Sequence, residues 1–420
     1  MFVIKNKLDA DFKDLFLNYF FLITVNIANL IIPLLQYPFL IDKLGLQNFG
    51  NIMFSLSFIT YFSVVLDYGF NFYAVRELVI VKEKKDQVNR IFSDITYARM
   101  LLLLISVSVF LIIVFLVPSF EKDLYLHTLT FLSVIPNLFL PQWLYQGFDK
   151  LRIYSILMLF ARVMALLIVL YQVKCPNDLL LIPVINFCCF AFVSILSFLY
   201  IRFKLKISLV KIDLNGIKKS LIEARYLFIS NVSISLYTNT IVFLLGFFCS
   251  KSLVGSFSIA DKIIQAIRST FTPFSQLVFP KLVFLAQTSK SCVVDWNRKI
   301  LFFGSVVIIF ICCLVFIFSN QLVYLIANKY DQEAILCLKL FSVLPLVFFL
   351  HIIFAMFTIL VFGYTDQYGK IILSAGLLSV FFCPIFIYYF NIRGAVLGVV
   401  LIEIYLLVRY FIFSLRLKLI

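Results

Sequence analysis

Charge is scarce in this chain, and the side chains that perform chemistry are scarcer. Asp, Glu, Lys and Arg make up 14% of the 420 residues, and the only histidines, His127 and His351, stand far apart. A pair so separated assembles no metal site. Nine cysteines occur without a single CxxC, and the adjacent pairs Cys188/Cys189 and Cys312/Cys313 cannot readily bridge on a helix. They read as small buried hydrophobes. Asp and Glu are scattered, and no acidic pair suggests acid–base catalysis. The chain is therefore expected not to be an enzyme and to need no cofactor. No polar stretch is long enough for a soluble domain, so a net charge of +15 does not point to nucleic acid. No small-residue cleavage site follows the apolar run from Leu15 to Ile41, which is also too long for a signal peptide.

What the chain has instead is apolar length. Hydrophobic residues account for 63% of it, and they recur in runs near the ~20 residues that span a bilayer core as helix. We read about twelve spans, at roughly 15–41, 51–74, 92–118, 124–148, 153–172, 179–201, 226–249, 256–286, 300–319, 335–362, 371–390 and 395–415. With these spans, 23 of the 36 Lys and Arg residues fall in the amino terminus, the even-numbered loops and the carboxyl tail. Each odd-numbered loop carries one: Lys43, Lys122, Lys174, Lys251, Lys329 and Arg393. Basic residues collect on the cytoplasmic side of short loops, so both termini are expected in the cytoplasm. In those loops the cations also meet anionic lipid headgroups.

The longest cytoplasmic connection, Arg202 to Arg225, divides the spans into six and six. We expect an amino-terminal lobe of residues 1–210 and a carboxyl-terminal lobe of 211–420. Gly-bearing outer turns follow the first span of each half, Leu44-Gly45-Leu46-Gln47-Asn48-Phe49-Gly50 and Leu253-Val254-Gly255-Ser256. Six spans per half make the repeat parallel, about an axis along the membrane normal, as in two-lobed transporters. Every outer loop is short, which leaves no room for the outer domain that sugar polymerases and ligases usually need.

Polar residues recur at helical spacing inside four spans. Asn18, Asn26, Asn29, Pro33 and Gln36 share an arc of roughly 80° on span 1. Thr60, Ser63, Asp67 and Asn71 do so on span 2, and Asn231, Ser235 and Thr238 on span 7. Span 8 is richest, with Asp261, Gln265, Arg268, Thr272, Ser275 and Gln276 on one face and Lys262 at its edge. A charge at a helix centre costs about 2.5–3.5 kcal/mol on insertion scales, so Arg268 should face protein or water. The Asn, Ser and Thr positions fit helix-to-helix packing first and a cavity lining second. Glu403 is an unpaired mid-span acid that could carry a coupling ion; Asp67 could do the same or pair with Arg76. Arg99 and Lys281 sit near span ends, where they can snorkel. Pro273 and Pro280 could let span 8 flex, or simply kink it.

Several motifs carry a family resemblance: Asn29-Leu-Ile-Ile-Pro33 through Gly50, Asp67-Tyr68-Gly69-Phe70 with Arg76-Glu77, Trp143-Leu144-Tyr145-Gln146-Gly147, and Val254-Gly255-Ser256-Phe257-Ser258-Ile259-Ala260-Asp261-Lys262-Ile263 continuing to Pro273 and Phe279-Pro280-Lys281. In order and spacing they resemble the O-antigen flippases (the Wzx type) of the multidrug/oligosaccharidyl-lipid/polysaccharide exporter superfamily. Asp261 stands where that family usually has Glu or a similar acid. The resemblance implies an all-α membrane protein with two six-helix lobes, related by a pseudo-two-fold axis around a V-shaped cavity. It also implies ion-coupled alternating access that carries undecaprenyl-diphosphate-linked oligosaccharide across a bacterial inner membrane, alongside other polysaccharide-assembly membrane proteins. For a diphosphate, Arg268 and Lys262 would supply cations, and Asp261, Gln265, Thr272, Asn26, Asn29 and Asn231 polar partners. A multidrug/cation antiporter of the same superfamily is the alternative, and a membrane-embedded polymerase or ligase a more distant one. Basic residues on the expected cavity faces outnumber acids, which argues against the antiporter.

Overall fold

A computed structural model describes residues 2–417, without the side chains of 1–23, 26, 272, 273, 276, 277, 280 and 288. The expected site residues Asn26 and Thr272 lie outside the described residues, as do Asn18, Pro273, Gln276 and Pro280.

The described residues form helices and no strand. In chain order these are α1 (Phe2–Asp67), α2 (Phe70–Val81), α3 (Lys85–Leu116), α4 (Pro118–Glu121), α5 (Leu124–Leu132), α6 (Gln142–Gly147), α7 (Leu151–Gln172), α8 (Leu181–Phe203), α9 (Leu214–Phe248), α10 (Lys251–Ser269), α11 (Phe271–Thr288), α12 (Lys290–Ile317), α13 (Ser319–Ala327), α14 (Gln332–Phe341), α15 (Leu344–Phe354) and α16 (Thr365–Arg416). Nine stretches among the described residues are long and apolar enough to cross a membrane. Two of these, Ile27–Val81 and Thr365–Arg416, run to 55 and 52 residues, well beyond the ~20 that one crossing requires. Each is broken where an outer turn is expected: Gly45 at φ 81°, ψ 162° and Asn391 at φ 51°, ψ −133°. A Cβ strains such a backbone and glycine does not. Span 8, taken up by α10 and α11, is not among these nine, and its α10 half carries Asp261, Lys262 and Arg268.

The helices gather into two compact units. One holds the chain up to Gln36 together with Phe58–Val232, the other Tyr37–Ser57 together with Ser233–Ile420. The chain thus changes unit three times, after Gln36, Ser57 and Val232.

Hydrogen bonds explain why the long polar connection from Arg202 to Arg225 stays with the first unit. Ser208 N–H donates to Asn89 Oδ1 at 3.0 Å, Val210 N–H to Ser93 Oγ at 2.8 Å, and the Tyr97 hydroxyl to the Val210 carbonyl at 3.1 Å. Arg90 pairs with Asp213, and that hydrogen bond holds the Asp213 carboxyl below its usual range. At ~1 kcal/mol per hydrogen bond, residues 208–213 are strapped to the start of α3.

The core of the first unit is built on Trp143, Leu144 and Tyr145 of α6, all fully buried against Phe70, Leu78 and Phe92. Burial of the Tyr145 hydroxyl is met by Ser197 Oγ at 2.8 Å. In the second unit, glycines let two helices touch. A Cβ on Gly50 would strike the Lys251 carbonyl, and one on Gly255 would lie 2.7 Å from the Leu46 oxygen. The two Gly-bearing turns that suggested a repeat therefore pack on each other.

Candidate polar cavities

Among the described residues, each unit holds a polar cavity. In the second unit, Ser250 caps α10 by accepting from Leu253 N–H at 3.4 Å. The helix then presents Asp261, Gln265 and Arg268 at i, i+4 and i+7, which share a face. Opposite them stand Tyr237 and Thr238 of α9, Phe348 of α15, and Ile402 and Glu403 of α16 around about 450 Å³. Arg268 Nη1 lies 3.0 Å from Glu403 Oε1. The far Glu403 oxygen is 3.5 Å from His351 Nδ1, too long for a strong hydrogen bond. Arg268 also packs over the Phe348 ring at 5.0 Å. Its Nε and Nη2 are buried without a hydrogen-bond partner. One helical turn away runs a ladder: Lys262 Nζ donates to Gln265 Oε1 at 2.9 Å, and Gln265 Nε2 to Asp261 Oδ2 at 2.7 Å.

The first unit's cavity, about 270 Å³, is lined by Ser63, Asp67, Asn71, Arg99, Asn137, Gln142, Tyr154 and Arg162, among others. Asp67 Oδ1 accepts from Asn71 Nδ2 at 2.6 Å and faces Arg99 Nη2 at 3.2 Å. Arg162 lies over the Phe190 ring at 6.0 Å.

Three expectations are corrected here. Asp67 pairs with Arg99 and not with Arg76, which is exposed. Arg99 does not snorkel: α3 starts at Lys85, so Arg99 is four turns inside, and only 7% of its side chain is exposed. Glu403 is not unpaired, because Arg268 and His351 flank it. His351 and Tyr237 carried no sequence signal, since their partners lie on other helices.

Asp261, Gln265 and Arg268 do share a cavity, and Lys262 reaches it through Gln265. Half-buried Asn29 and Asn231 belong to the first unit and line neither cavity. The expected excess of cations holds in the first unit's cavity, with two Arg to one Asp among its described lining. It fails in the second, where Asp261 and Glu403 face Arg268. Cavity charge therefore does not separate a polysaccharide carrier from a cation antiporter.

Comparison with known proteins is more decisive. The family described as "Polysaccharide biosynthesis protein" matches residues 15–285. A protein of Escherichia coli (strain K12) named "Putative O-antigen transporter" is 26% identical over 366 residues, covering 86% of this chain and 87% of that protein. Among solved structures, the lipid II flippase MurJ in an inward closed conformation superposes with a TM-score of 0.67 at 12% identity, over 96% of this chain and 87% of that one. An inward-facing multidrug resistance MATE transporter of the MOP superfamily gives 0.63 at 13%, over 93% and 98%. At such identities the two structures establish the fold of this all-helical, multi-pass membrane protein.

Proposed function

The chain belongs to the polysaccharide biosynthesis protein family, and from that membership we propose that it is a flippase for lipid-linked polysaccharide repeat units. Its substrate is an undecaprenyl-diphosphate-linked oligosaccharide of the O-antigen type, carried from the cytoplasmic to the periplasmic face of the bacterial inner membrane. Both termini are cytoplasmic on the strength of the basic-loop asymmetry. Transport runs by ion-coupled alternating access of an amino-terminal lobe, residues 1–210, and a carboxyl-terminal lobe, 211–420. The observation that carries the site assignment is Arg268: a guanidinium lining a polar cavity inside an apolar span, with two nitrogens lacking partners. A diphosphate leaving water needs such donors, and a guanidinium offers them in a fork that matches phosphate oxygens. Asp261, Gln265 and Lys262 position the sugar-proximal end, and the polyprenyl tail stays in lipid.

A deletion strain tests this reading. Complete lipid-linked repeat units should accumulate in its membrane lipid extract, and surface polysaccharide should disappear. An antiporter would leave that lipid pool unchanged and shift sensitivity to drugs or dyes. A polymerase or ligase would leave single units or unattached polymer exposed on the periplasmic side.

A further inference from the structure

Arg268 is not open to an incoming anion. Glu403 is 3.0 Å from its Nη1, and Asp261 lines the same cavity. An oxyanion entering there meets two carboxylates where one cation waits, in surroundings that screen charge poorly. The repulsion is removed most directly by a proton, and one further group stands ready to share it. His351, on α15, lies against the other Glu403 oxygen, Oε2, at 3.5 Å. Its ring is stacked on Tyr410 at 5.1 Å, which holds it in place.

We propose that Glu403 is a carboxylate lock on Arg268: it occupies the guanidinium in the empty site, and an oxyanion displaces it when the Glu403–His351 pair takes up one proton. His351 is the positioning residue that retains Glu403 once Arg268 has changed partner. The lock rests on the flippase reading and adds a competition inside its site. The other titratable groups around Glu403 are Tyr237 from α9, Asp261 and Lys262 from α10, and Tyr410 with Tyr368 from α16 itself. Lys339, at the end of α14, is exposed. Among the described residues, Glu403 meets Arg268 through Oε1 and His351 through Oε2.

The test uses the full chain in nanodiscs of neutral lipid, with sulfate as probe because its charge is constant over the range. Binding is followed by thermal shift from about pH 8 down to about pH 5, the window in which imidazole titrates. Wild type should bind sulfate up to about tenfold more tightly per pH unit as the pH falls, the slope of one linked proton. Glu403→Gln should bind at pH 8 as tightly as wild type at pH 5, with no slope. His351→Asn should move the rise to lower pH. Equal, pH-independent binding by wild type and Glu403→Gln would overturn the lock while leaving Arg268 as the anion site. No sulfate binding by either protein at any pH would overturn both. Should Glu403→Gln fail to accumulate, proton uptake by wild type in weak buffer decides: one proton per sulfate supports the lock, and none refutes it.

Discussion

Replacing Arg268 by Met together with Glu403 by Gln is expected to abolish surface polysaccharide while the protein accumulates in the membrane at its normal level. The paired change is needed because Arg268 and Glu403 neutralise each other at 3.0 Å in the interior. Removing the arginine alone leaves a buried carboxylate with only a loosely placed imidazole, and breaking a buried pair costs about 3–5 kcal/mol. A single Arg268→Ala variant could then fail by misfolding and say nothing of transport. Exchanging both partners for uncharged groups of similar volume is close to neutral for folding, so loss of polysaccharide would report on the missing Arg268–Glu403 pair rather than on a failed fold. Arg268→Lys with Glu403 intact should retain part of the activity, because the charge survives although the bidentate fork is lost. Surface polysaccharide is read on cells and protein level by immunoblot. Full complementation by the double variant would remove Arg268 from the substrate site.

The second large effect lies in the first unit. Asp67→Ala should destabilise the protein by about 3–5 kcal/mol, because it leaves Arg99 buried without its carboxylate. Asn71 loses its 2.6 Å acceptor in the same change. The thermal unfolding midpoint of purified protein should fall, and membrane levels with it. Asp67→Leu combined with Arg99→Met should restore both, since the charges leave together. This pair also separates two roles for Asp67. If the residue holds helices together, the double variant is stable and still exports polysaccharide. If it carries a coupling ion, the double variant is stable and inactive. We expect export, because Arg99 and Asn71 both hold Asp67 through Oδ1.

How far these residues were legible in the sequence depends on whether their partners are local. The polar face of α10 was legible because Asp261, Gln265 and Arg268 are separated by one and two turns of one helix, and periodicity reports such neighbours. The breaks at Gly45 and Asn391 were legible as the turns that hydropathy demands. Arg99 was misplaced because the charged stretch Lys85–Arg90 moved the apparent start of span 3 to residue 92, where α3 begins at Lys85. Asp67 was assigned the nearest downstream cation, Arg76, whereas its partner lies 32 residues away on another helix. His351 and Glu403 meet across 52 residues of chain through the packing of α15 on α16, a contact that no spacing rule encodes. The attachment of residues 208–213 to α3 is invisible in the sequence for the same reason. Hydropathy marks the polar connection, and only the hydrogen bonds from Asn89 and Ser93 show which helix holds it.

We infer that lipid-linked sugars cross the membrane through this protein. It is tested most directly with the full chain reconstituted in vesicles that carry undecaprenyl-diphosphate-linked oligosaccharide in both leaflets. An external enzyme that cleaves the exposed sugar reports which leaflet each molecule occupies. In protein-free vesicles, cleavage should stop at the outer-leaflet fraction. With the protein present it should run to near completion, and the Arg268→Met/Glu403→Gln double variant should return it to the outer-leaflet fraction. Cleavage that stops at the same fraction with and without wild-type protein, in vesicles that still exchange a cationic dye for protons, would contradict the account.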